Sequence, residues 1–168
     1  MAQTPNKKTL VEGIGLGVAA GILFAIAEVI VASVMGDPPL KPFRMFSSIL
    51  LGRDGLEDAP IGMAFGVGTL VHLVLSGFYG AIYGVIDGYL NERSKVSPST
   101  QGGFGLVFGL ALYLINFQVF ARLLFPWFLD APQIAQALLH ALFYGAPLGL
   151  MFAFWERRHA VGGMPRPV

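Results

Sequence analysis

Four runs of this chain, residues 13–35, 61–86, 102–121 and 134–155, are each about 20 residues or longer and contain one Asp, Glu, Lys or Arg among them, Glu28. About 20 apolar residues at ~1.5 Å of rise suffice to cross a bilayer as a helix. In hydrocarbon only helices and closed barrels satisfy their own backbone hydrogen bonds. The expected fold is therefore all-α: an integral membrane four-helix bundle, one transmembrane domain over residues 1–168. Composition agrees, since 55% hydrophobic residues, 12% charged residues and a mean hydropathy of +0.66 are too apolar for an ordinary soluble domain. The first run is too long for the apolar core of a signal peptide and is read as a retained span.

These proportions exclude several kinds of function. The segments between runs are short, the longest being 36–60, which leaves no room for a water-soluble catalytic domain. A net charge of +1 with dispersed Lys and Arg does not suit nucleic acid as a partner. The absence of cysteine rules out disulfides, thiolate metal sites and covalently attached c-type haem. No P-loop, dinucleotide-binding glycine motif, HExxH or serine elbow occurs in a fitting context. No enzyme is expected, and no catalytic or metal-binding residue is assigned.

A carboxylate within an apolar span must either lose its charge or face a polar partner. Gly21 lies seven residues before Glu28 and Gly17 eleven before it. At 3.6 residues per turn both fall within about 20° of the Glu28 direction. Glycines four apart let helices approach closely, so Glu28 is expected to point into protein. The pattern recurs: Gly15, Gly17, Gly21 and Glu28 match Gly103, Gly105, Gly109 and Asn116 at an offset of 88. "FYGAIYG" at 78–84 matches "FYGAPLG" at 143–149 at an offset of 65, pairing Gly80 and Gly84 with Gly145 and Gly149. A duplicated two-helix unit with both copies in one orientation accounts for these matches. It makes the eight glycines from Gly17 to Gly149 packing positions and puts Glu28 and Asn116 at one depth.

With four spans the termini share a side. Lys7, Lys8, Arg93, Lys95, Arg157, Arg158 and Arg166 lie on that side, against Lys41, Arg44, Arg53 and Arg122 on the other, which places both termini in the cytoplasm. In the first loop, prolines 38, 39 and 42 stop the first helix, and Phe43, Met45, Phe46, Ile49 and Leu50 follow at near-helical spacing. A short interfacial helix is expected at about 42–52. Phe125, Trp127 and Phe128 suit an aromatic belt at the membrane surface.

The remaining polar residues form a cluster of Glu28, His72, Asn116, Gln118 and His140. Counted from the helix ends, Glu28, Asn116 and His140 lie about 8–10 Å deep and His72 about 16 Å. Two readings stay open: a proton-handling, metal or cofactor pocket, and a set of interhelical hydrogen bonds that fixes packing. Gln133, Gln136, His140 and Tyr144 also form one stripe, with Gly145 and Gly149 about 140–180° from His140. If those glycines pack inside, the stripe looks outward and suits another membrane-protein subunit, a quinone or a haem; the alternative is a helix rotated so that the stripe lines the interior and the glycines face lipid. A haem held between His72 and His140 would have to absorb a depth difference of about 6 Å. Bound membrane lipid is expected.

"FRMFSSILLG" at 43–52, "VHLVLSGFYGAIYG" at 71–84, "GLALYLINFQVFARLLFPWF" at 109–128 and "LLHALFYG" at 138–145 resemble small four-helix bacterial proteins of unknown function, some of which are labelled sodium:proline symporter. The resemblance covers roughly residues 10–155 and implies a bacterial inner-membrane protein, with no catalytic residues to carry over. The function expected is that of a non-catalytic accessory or structural subunit of a larger membrane complex, an energy-converting one of respiratory or photosynthetic type. The alternatives are a small oligomeric transporter or channel with Glu28 and Asn116 along its path, and a haem- or quinone-binding membrane protein.

Overall fold

The computed structural model describes residues 7–162. Among these residues four helices are long and apolar enough to cross a membrane, and the chain is a multi-pass, all-α membrane protein. The first is α1 (Lys7–Val34), ended by Gly36 at φ +83°. There Gly36 N–H bonds Ser33 O and Asp37 N–H bonds Ala32 O, the paired bonds of a Schellman stop. Next come α2 (Lys41–Leu51), α3 (Ile61–Gly88), α4 (Pro98–Leu124) and α5 (residues 133–162). Prolines stand at or just before the starts of α3, α4 and α5, where a missing N–H costs nothing, and Ser97 Oγ caps α4 through Thr100 N–H. These polar ends extend the helices by up to about two turns beyond the uncharged runs.

Packing is in pairs. On α1, Gly13 and Gly17 lie directly on Gly80 of α3, and Gly21 lies on Ser76. On α4, Gly105 lies on Gly145 of α5, Gly109 on the His140 carbonyl, and Gln101 O against Gly149. A Cβ at Gly17 or Gly105 would collide with the facing backbone, so the close approach requires glycine there. Gly84 is also buried on α3. The pairs join where α5 crosses α1, around a core that includes Phe24, Tyr83, Leu112, Leu148 and Phe152.

Two stretches depart from regular α-helix. Leu114–Ala121 in α4 and His140–Gly145 in α5 are π-helical, with an extra residue per turn.

The expected segment at 42–52 is a helix, α2, but it does not lie apart from the bundle. It folds down along α3, the Phe43 backbone resting on Gly68, with Pro42, Ser47 and Ser48 buried. Arg44 holds the following loop through the carbonyls of Leu56 and Ala59.

Candidate functional site

Beneath α2 the four spanning helices enclose a cavity of about 360 Å³, within the range typical of small-molecule sites. Helical spacing delivers its walls. Phe24 and Glu28 are four apart on α1; His72, Ser76 and Tyr79 follow i, i+4, i+7 on α3; Gln136, His140 and Tyr144 step by four along α5. The π-helical part of α4 supplies Asn116, Phe117 and Phe120, and α2 closes the top with Met45, Phe46 and Ile49. Phe125 and Phe128 also line it, so these two turn inward instead of joining a surface belt. Their neighbour Trp127 donates to Ser48 Oγ at 2.8 Å and thereby ties the α4–α5 loop to α2.

Four of the helix pairs around the cavity are fastened by a hydrogen bond. The Glu28 carboxyl bonds the Gln136 side chain, joining α1 to α5. His72 Nε2 donates to Gly21 O at 2.8 Å, joining α3 to α1. Tyr144 OH donates to Ser76 O and Tyr79 OH to Asn116 Oδ1, both at 2.6 Å, joining α5 to α3 and α3 to α4. His140 Nδ1 donates to Gln136 O, one turn back in its own helix, at 2.8 Å. Rings pack around both histidines: His72 stacks with Phe46 at 4.5 Å and with Phe24 at 5.6 Å, and His140 meets Phe24 edge-on at 4.8 Å.

Four members of the expected cluster, Glu28, His72, Asn116 and His140, therefore share one cavity. Gln118 does not line it. It bonds Tyr113 OH at 2.9 Å and receives Arg122, while Gln133 turns to the carbonyls of Leu129 and Ala131. The outward-facing stripe is corrected: Gln136, His140 and Tyr144 are buried, although Gly145 and Gly149 are packed inside as well. Both faces of α5 are interior because α4 lies on the glycine side and α1, α3 and the cavity on the other. The depth of His72 is also corrected. It shares Phe24 with His140, because α3 begins beside α2, about three turns before His72, the first of its residues to line the cavity.

The residues do not fit a haem held between His72 and His140: His72 Nε2 is committed to Gly21 O, and Phe24 lies against both rings. Nor do Glu28, His72 and His140 converge as metal ligands; among the described residues no group of three or more His, Asp or Glu does.

A second polar group lies at the opposite end of the bundle, and two of its three members, Asp87 and Gln101, fall outside the uncharged runs. Gln101 Nε2 donates to Asp87 Oδ1, and Tyr83 OH donates to Gln101 Oε1 at 2.7 Å. Asp87 is 1% exposed and Gln101 0%, and Asp87 Oδ2 has no partner. The available signal was the i, i+4 placement of Tyr83 and Asp87 at the end of α3. Between the two groups the axis is filled by Leu148 and Phe152, so the cavity is closed on that side.

No protein-family model matches the chain, and no curated protein or solved structure matches it either. What fold and site define is a class: a multi-pass helical membrane protein with one aromatic-walled, sparsely polar cavity beneath a short folded-down helix.

Proposed function

We propose that the protein is a non-enzymatic binding protein of the bacterial inner membrane that holds a quinone-sized lipophile in the cavity under α2. The observation that carries this is the combination of volume and lining: about 360 Å³ walled mainly by aromatic rings, with a few polar groups among them. That is the composition of a site for a ring-bearing apolar molecule that needs its head oriented. The same proposal puts both termini in the cytoplasm, which the Lys and Arg distribution supports.

The test is thermal unfolding of the protein in phosphatidylcholine nanodiscs with 2-decyl-1,4-benzoquinone or 2-decylhydroquinone. At least one probe is expected to raise the midpoint in a concentration-dependent way, and the rise is expected to vanish in Ala121→Leu, which fills the cavity. No shift with either probe sinks the proposal.

A second reading, a non-catalytic accessory subunit of a larger energy-converting complex, is favoured by glycines on the membrane-facing surface. Gly62 and Gly66 on α3, Gly15 on α1 and Gly103 on α4 are exposed and have nothing within 4 Å of where a Cβ would stand. Such shallow places admit a neighbouring helix. Recovery only as a lone monomer in mild detergent counts against this reading.

Internal duplication is part of the same proposal. Its support is that the contact pair Gly17–Gly80 becomes Gly105–Gly145, and Gly21–Ser76 becomes Gly109–Ala141, under the offsets of 88 and 65. Gly17→Leu and Gly105→Leu are accordingly expected to disrupt the fold to a similar extent.

A further inference from the structure

Resting on the cavity reading above, we infer that the occupant is a hydroxylated aromatic lipophile, a hydroquinone or phenol with an apolar tail, recognised by the hydrogen its hydroxyl donates. The basis is the hydrogen-bond inventory of the wall. His72 Nε2 and His140 Nδ1 each lie 2.8 Å from a backbone carbonyl oxygen, of Gly21 and Gln136 respectively. A carbonyl oxygen only accepts, so each of those nitrogens carries the ring hydrogen. An uncharged imidazole then keeps a lone pair on the other nitrogen, Nδ1 of His72 and Nε2 of His140. Both rings border the cavity.

The two tyrosines on the wall have no hydrogen left to offer. Tyr79 gives its own to Asn116 Oδ1, and Tyr144 gives its own to the Ser76 carbonyl. In either protonation state the Glu28 carboxyl adds an acceptor oxygen beside its Gln136 partner. Asn116, whose oxygen is occupied by Tyr79, presents its amide N–H groups. Lone pairs therefore outnumber hydrogens around this space. A head group that only accepts, such as a quinone carbonyl or an aryl ether, would set lone pair against lone pair at the histidines. A hydroxyl donates to an imidazole and accepts from Asn116. The flanking faces and edges of Phe24, Phe46 and Phe117 suit the flat ring that bears it.

The test compares 2-decylhydroquinone, kept reduced, with its dimethyl ether, 2-decyl-1,4-dimethoxybenzene. The two share ring and tail and differ in hydrogen-bond donation. Kd is measured for each on the full chain in phosphatidylcholine nanodiscs. The hydroquinone is expected to bind about tenfold more tightly, the effect of one well-made hydrogen bond. His140→Leu is expected to shrink that ratio to about threefold or less; if this variant does not fold, His72→Leu takes its place. Equal affinity for both probes, or tighter binding of the ether, overturns the inference while leaving the cavity reading intact. Binding of neither probe overturns both.

Discussion

At the end of the bundle nearest residues 7 and 162, Asp87, Gln101 and Tyr83 are packed so tightly that each is at most 2% exposed. At the other end, Glu28, His72, Asn116 and His140 surround about 360 Å³ of space. The two groups are alike in chemistry, each built on a carboxylate, an amide and tyrosine hydroxyls. They differ in what lies between the side chains. The closed group bonds to itself through Gln101, with Asp87 Oδ2 left unpartnered and no space beside it, and so fixes how α3 meets α4. The open group ties the helices together as well, but leaves imidazole nitrogens and an amide facing a void that an apolar ring can occupy. Polarity inside a membrane bundle thus separates into structural and receptive kinds by the space beside it.

Paired substitutions put that contrast at risk. Gln101→Leu strands the Asp87 carboxyl in a dry site and leaves Tyr83 OH with the residue 101 backbone carbonyl alone, and is expected to lower unfolding stability by about 2–3 kcal/mol. Gln136→Leu, the matching change at the open end, is expected to cost about 1 kcal/mol, because Glu28 retains access to the cavity. Equal costs, measured by reversible unfolding in mixed micelles, would erase the distinction between the ends. Ala121→Leu is expected to raise stability by about 1 kcal/mol by filling empty space, and a loss of that size would mean that the void is narrower than described. Smaller again, Tyr79→Phe is expected to cost about 0.6 kcal/mol, the ordinary value of an interhelical hydrogen bond in a membrane. Glu28→Gln keeps a partner for Gln136 and is expected to change stability by less than about 0.5 kcal/mol; a large loss would show the Glu28 charge itself to be structural.

The spans were readable because hydrocarbon tolerates almost no charge over 20 residues, a demand on composition rather than on detail. The glycine contacts were readable for a similar reason, since only glycine lets backbones touch at Gly17 and Gly105. The direction of the α5 stripe was not. A helical wheel assigns one inner face per helix, whereas α5 lies between α4 on one side and α1 with the cavity on the other, and so has two. The depth of His72 failed because counting from helix ends assumes that the ends are level, and α3 rises past the cavity beside α2. Asp87 and Gln101 were passed over because they stand at helix ends, where a polar residue ordinarily meets water; whether such a residue is instead sealed by a neighbour is settled only by tertiary packing.

The widened turns at His140–Gly145 have a consequence for the half of α5 that follows them. A stretch that holds a surplus residue sets the phase of everything downstream. Removing one residue there, so that the chain closes into ordinary turns, would rotate the remainder by about 100° and carry Gly149 off the Gln101 carbonyl. The alignment of α5 with α4 at one end of the molecule is therefore fixed by slack stored in the wall of the cavity at the other.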